Sequence, residues 1–579
     1  MTHPYGVFKE KPEDGRVCYS IADDASRRAR LDGGAVRGVM RGIVRALGLC
    51  TAALSLAAAA ACASSSGGGL PQDGSARASV LRFDISADPA NLDPLFAHPD
   101  AANVEQQLAH LAFEPFFDLD ARGRPVPELI VEIPTLANGG ISRDGRTIVY
   151  HLRRGVRWSD GVALSAHDVV FTVHAILDPR NPVASREGYE LIDDVKALDA
   201  LTVRLHLKRA WAPAVSTFFT YGTAPQYVLP AHVRERQGTV GDGPYVLARW
   251  NRGDRLVYTA NPQYWRGRPA IGELDVHVVP DPNTNLTLLR SAAIGFNLIA
   301  PAQIPVVSGN AQLALVRVPT VIVAGLALNV SRPPFDDPRV RRALAMSIDR
   351  DAISAKITSG NYRVADSDRP RFSWAFDPSV AEPHYDAAAA DRLLDAAGWR
   401  RGPNGRRMKG GKTLDAVYTQ FYESATGVRV ASFVQRELND RGINATVKQI
   451  SQAQFYLPKI GILARGDFDI AYVPWSMGAD PDDRFLIACD GTANYMRYCN
   501  PAVDRLEAHA VNAPRQADRR ADYVAVDRAV ARDVPIVYLF NAAYVYAYDK
   551  RLHGFSPNAF SPTWNAYSWN FSTVSRSIR

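Results

Sequence analysis

YHLRRGVRWSDGVALSAHDVVF, Tyr150–Phe171, is the stretch that decides the fold. His151 to Val156 reads as a short strand closing in a tight turn, and Asp160-Gly161 supplies a second turn at a position that accepts φ > 0. Ser165 then stands where a helix N-cap is wanted, ahead of Val169 and Val170. Strand, glycine turns and capped helix in so short a span predict a β-turn-helix unit. Its role is structural, and ligand chemistry is expected elsewhere.

The C-terminal half repeats this mixture of periods. Thr413 to Tyr418 alternates like a strand. Thr426 to Asp440 carries apolar residues at Val430, Phe433, Val434 and Leu438, Gly442 ends that helix, and Ile443 to Ile450 returns as a strand, which together make a βαβ unit. Asp337-Pro338 is a cap and first-turn pair for a helix with Val340, Leu344 and Ile348 on one face, and Asp386 to Ala397 closed by Gly398 repeats the device. A long helix, Gln516 to Arg532, leads through Pro535 into two short aromatic-rich strands ending near Tyr548. The fold class is α/β.

The N-terminal part is of another kind. Met40 to Cys62, MRGIVRALGLCTAALSLAAAAAC, places Arg41 and Arg45 before an apolar run that ends in small residues and a cysteine. This is the pattern of an export signal, with a run too short for the ~20 residues of a membrane-spanning helix. Ala60-Ala61-Cys62 fits a lipoprotein cleavage box with Cys62 carrying lipid, while Ala59-x-Ala61 also fits ordinary signal peptidase. Residues 1–39 fit neither pattern, so Met40 is the expected start, and residues 63–79 read as a flexible tether.

The formal charge of +7 arises from 67 basic and 60 acidic side chains scattered along the chain rather than gathered in a stripe, which argues against nucleic acid as a partner. Cys489 and Cys499 bracket a short polar loop. In an oxidising compartment a disulfide is favoured there over free thiols, and no histidine pair at ligand spacing points to a metal.

Four landmarks in order give the chain a family resemblance: the Tyr150–Phe171 block, then GDGPYVLARWNRGDRLVYTANPQYWRGRP from Gly241, LALNVSRPPFDDPRVRRALAMSIDRDAI from Leu326, and GDFDIAYVPWSMGADPDD from Gly466. The chain resembles the extracytoplasmic solute-binding proteins of the dipeptide- and oligopeptide-binding family, family 5, over nearly everything from Val80 onward. The resemblance implies a periplasmic-binding-protein-like α/β fold with a hinge. Lobe I would combine 80–111, 241–317 and 540–579, lobe II would be 112–240 and act as scaffold, and lobe III would be 318–539. Ligand would lie between lobes I and III, and segments near 317 and 540 would cross as the hinge. A monomer that hands a peptide or other small solute to an ABC permease, without a cofactor, is the implied function. A sensor of the same fold without transport is the alternative.

Peptide-binding members carry a tryptophan followed three residues later by an aspartate that pairs with the peptide ammonium. Trp475 matches, but Gly478 occupies the acid's position, so either Asp480 takes the role or the ligand has no free amine. Trp374 and Tyr422 are candidate stacking residues, and the loop from His98 to Asn103 is a candidate wall. A periplasmic hydrolase is the enzyme alternative. It lacks support from a GxSxG elbow, a phosphate-binding glycine loop or an HExxH pair.

Overall fold

The signature block folds as its turns demand. In the structure, a computed structural model that describes residues 79–96, 104–220, 226–234 and 239–571, strand Thr147–His151 pairs antiparallel with Thr202–Leu207, which pairs in turn with Ile192–Asp199. Gly161 adopts φ +92°, where a side chain would be strained. Helix Ala166–Leu177 opens where the Asp168 carboxylate accepts the Ser165 backbone N–H at 2.8 Å, and it buries Val169, Val173 and Ile176. The export signal, the tether, Cys62 and Asn103 lie outside the described residues.

Among the described residues, three small sheets of two or three strands accompany two larger ones. One runs in the order Val80–Ile85, Glu273–Val278, Arg255–Ala260, Tyr245–Asn251, with the first pair parallel and Leu81, Phe83 and Ile85 buried on one face. The larger sheet is built on two long antiparallel strands, Leu313–Leu328 and Ile536–Asp549. At one end these pair with Phe296–Leu298, and at the other with Ile470–Ser476, followed by Asp415–Phe421 and Asn444–Ile450. The last two strands are parallel around helix Ala425–Asp440, the crossover that parallel strands require. The aromatic segment after Pro535, expected as two short strands, is one strand. Its ladder continues across register shifts at Pro319/Val323 and Ala324/Gly325 instead of breaking.

Cys489 and Cys499 form a disulfide with Cα atoms 4.4 Å apart. It closes a loop beside helix Pro501–Ala510, where the Asp504 carboxylate accepts the Cys489 N–H at 3.0 Å.

A second clasp in this region is ionic. Arg369 is buried; its Nε donates to both Asp527 oxygens at 3.1 Å, its Nη2 lies 3.2 Å from Asp483, and its Nη1 donates to the Pro481 carbonyl. Asp368 and Glu507 are buried in the same group, so four carboxylates face one guanidinium. Burial, together with repulsion from Asp483, drives the Asp368 and Glu507 carboxyls well above their usual range. Burial likewise pushes Asp527 up to about 7 despite the pull of Arg369, and pushes Glu382, paired with Arg350, up to about 8.

The sign of the linkage follows from these shifts. Groups whose pKa is higher folded than unfolded make the native state hold more protons between about pH 4 and about pH 7, so stability falls as pH rises through that window. The melting temperature of ligand-free protein is therefore expected to drop between about pH 5 and about pH 8, and Asp527→Asn to flatten that slope. A melting temperature that climbs with pH over this range would contradict the protonated cluster.

Candidate ligand cavity

Asp368, Arg369 and Pro481 of the ionic clasp line a cavity of about 850 Å³. Among the described residues, its wall comes from two stretches, 117–216 and 368–519. The first stretch contributes Phe117, Leu119, Ile133, Ile148, Trp211 and Val215; the second contributes Pro370, Phe372, Trp374, Met477, Ala479 and Pro514. A wall this apolar and aromatic, with few polar groups, is the composition expected of a small-molecule site.

The two stretches touch on opposite sides of the cavity. Phe372 lies over Gly123, which has φ +74°; a Cβ at that position would come within 2.6 Å of the ring, so glycine is required for both conformation and contact. On the other side the Ala212 N–H donates to the Val511 carbonyl at 2.7 Å, Arg209 donates to Asn512 at 3.2 Å, and the Ser216 hydroxyl donates to Asp480 at 2.8 Å. The stretch expected as scaffold thus supplies half the wall. The expected placement lay between lobe I (80–111, 241–317 and 540–579) and lobe III (318–539); the cavity differs from it in that the loop through Trp211 leans onto Asp480 and Val511.

The candidate residues separate into three groups. Trp374, Gly478 and Asp480 line the cavity together. Trp475 does not: it sits on strand Ile470–Ser476 at 1% exposure, with its ring 3.3 Å from the place a Cβ would take on Gly325. Met477, just past the end of that strand, lines the cavity. Tyr422 is 55% exposed and is not part of the wall, and Asn103 lies outside the described residues.

Asp480 is fully engaged. Arg519 grips both of its carboxylate oxygens through Nη1 and Nη2, the fork geometry that makes such pairs strong, while Ser216 and the Asp482 N–H donate to the same carboxylate. Arg519 is itself held by Tyr523 and stacks 5.1 Å from the Trp374 ring centre. Phe372, Trp211, Ser216 and Arg519 were not legible as site residues. They are distant in sequence and carry no motif; the packing of 208–216 on 480–519 brings Trp211, Ser216 and Arg519 together, and the contact with Gly123 brings in Phe372.

Comparison with known proteins places this geometry. The family model for bacterial extracellular solute-binding proteins, family 5 Middle, matches residues 131–497. Protein XP55 of Streptomyces lividans is 28% identical over 87% of this chain and 91% of its own length. The glutathione-binding protein GsiB of Pectobacterium atrosepticum is 28% identical over 72% of this chain and 81% of its own. Among solved structures, the ABC transporter substrate-binding protein CtaP of Listeria monocytogenes superposes with a TM-score of 0.73 at 22% identity, over 85% of this chain and 99% of its own, which establishes the shared fold. With the signature block and the α/β fold in place, the chain belongs to the bacterial extracellular solute-binding proteins of family 5, the substrate-binding components of ABC importers.

Proposed function

We propose that the protein captures a small solute with an apolar body, up to the size of a short peptide, in the cavity walled by 117–216 and 368–519, and delivers it to an ABC permease. The observation that carries this reading is the wall itself: aromatic and aliphatic side chains from two stretches that meet on both sides of an 850 Å³ space. Such a volume falls in the range that encloses most of a drug-sized ligand. Relatives named for binding glutathione and di- and tripeptides are consistent with that size.

In this reading the lobes follow the expected bounds, and the paired strands Leu313–Leu328 and Ile536–Asp549 act as the hinge. Their register shifts near Pro319 and Val323 interrupt the ladder where a bend costs fewest hydrogen bonds. The protein works as an exported monomer without catalytic chemistry, nucleic acid or a cofactor, tethered by lipid at Cys62.

Mass spectrometry of solute released from denatured, freshly purified protein should identify a compound of short-peptide size. Trp374→Ala and Phe372→Ala should each weaken its binding by about tenfold or more, the usual cost of truncating a buried aromatic contact. Titration by calorimetry reads this. Unchanged affinity in both variants would remove the cavity from the function.

The tether has its own test. Cys62→Ser should move the protein from the membrane fraction to the soluble exported fraction while leaving ligand affinity unchanged; membrane association that survives the substitution would refute the lipid anchor.

A further inference from the structure

Six charged side chains line the cavity among the described residues: Arg124, Asp368, Arg369, Asp480, Arg515 and Arg519. Each is already compensated from within the protein. Arg519 and Asp480 hold each other, and Arg369 is taken by Asp527 and Asp483. Arg124 pairs with Asp120 at 2.6 Å and Arg515 with Asp518 at 2.7 Å, both at the solvent-facing rim. Asp368 is buried beside Asp483, where burial and that neighbour favour its protonated, uncharged form.

A solute entering such a space meets charge pairs rather than charges. A desolvated ammonium would need a carboxylate that is free, and the carboxylate on the wall with the best position, Asp480, has its oxygens occupied by Arg519, Ser216 and the Asp482 N–H. A desolvated carboxylate would have to draw one of the buried guanidinium groups from an acid that itself would then be left uncompensated. Thr135, Ser373 and Gln516 offer neutral hydrogen-bonding groups on the same wall, suited to amides and hydroxyls.

Resting on the cavity reading above, we infer that the bound solute is electrically neutral over the part enclosed: an apolar compound with amide or hydroxyl groups, or a peptide whose ends are blocked or joined, and not a free-ended peptide. The Asp480–Arg519 pair, with Ser216 reaching it from the opposite wall, is what sets this preference. Arg519 is a specificity-determining residue because it removes Asp480 from the list of groups open to a ligand amine.

The test uses the full-length exported protein and a panel of two- to four-residue peptides of leucine and phenylalanine, each free-ended, N-acetylated, C-amidated and blocked at both ends, titrated by calorimetry. Doubly blocked forms are expected to bind at least about tenfold more tightly than their free-ended counterparts, with the singly blocked forms between them. Arg519→Gln, which releases Asp480, should strengthen the amine-bearing forms relative to the acetylated ones and so narrow or reverse the preference. Asp480→Asn covers the case in which the Arg519 variant does not fold: it should not selectively weaken the amine-bearing forms, and by leaving Arg519 without its acid it should strengthen the forms with a free carboxylate relative to their amidated counterparts. The inference is overturned if free-ended peptides bind as tightly as blocked ones, or if Asp480→Asn selectively weakens the amine-bearing forms. Binding by no member of the panel, in any form, overturns the cavity reading beneath it as well.

Discussion

The candidate site depends on one desolvated guanidinium. Arg369 joins three pieces of chain that are far apart in sequence: its own loop, the turn through Pro481 and Asp483, and helix Gln516–Asp533 through Asp527. Those pieces carry Phe372, Trp374, Asp480 and Arg519, which line the cavity. Taking one partner away from a buried charge of this kind costs on the order of 3–5 kcal/mol, because the remaining charge stays where water cannot reach it. The wall is therefore held by an interaction that is costly to disturb, and the surplus of carboxylates around it ties that rigidity to pH.

The fold was legible where periodicity and turn chemistry coincide. Ser165 with Asp168, Asp337 with Pro338, and Gly442 each mark an element end through local backbone needs, and the structure places helix ends at all three. The continuous strand Ile536–Asp549 was not legible as one element, since its continuity depends on a partner more than two hundred residues away that tolerates register shifts. For the cavity, the sequence pointed to the right turn, Trp475 to Asp480, but not to the direction of its side chains. Trp475, within strand Ile470–Ser476, packs into the core against Gly325, and the chain reaches the cavity only past the end of the strand, at Met477. Ser216 and Trp211 had no sequence signal, because their contribution arises from tertiary contact alone.

Asp480 shows how a departure from a family pattern is absorbed. With Gly478 where an acid would stand, a carboxylate two residues on is available, yet it is paired with Arg519 before any ligand arrives. Glycine at 478 has no side chain to offer, and a Cβ there would lie 3.5 Å from the Asp480 carbonyl oxygen. Asp480 thus serves as a strut between two stretches of the wall.

That strut bears on how occupancy is sensed. The hydrogen bonds between the two walls are few: a backbone pair at Ala212 and Val511, Arg209 to Asn512, and Ser216 to Asp480. Each contributes about 1 kcal/mol net in water-accessible surroundings, so together they hold the walls together only modestly. A solute that touches Phe372 and Trp374 on one side and Trp211 and Leu119 on the other buries apolar surface against both walls at once, at roughly 25 cal/mol per Å². A few hundred Å² of such contact would be worth more than the direct bonds, so in the proposed reading a ligand would supply most of the free energy that joins the walls. Weak direct contacts and a strongly apolar interior make engagement of the two walls a report of occupancy, the property a permease needs in order to tell a loaded binding protein from an empty one.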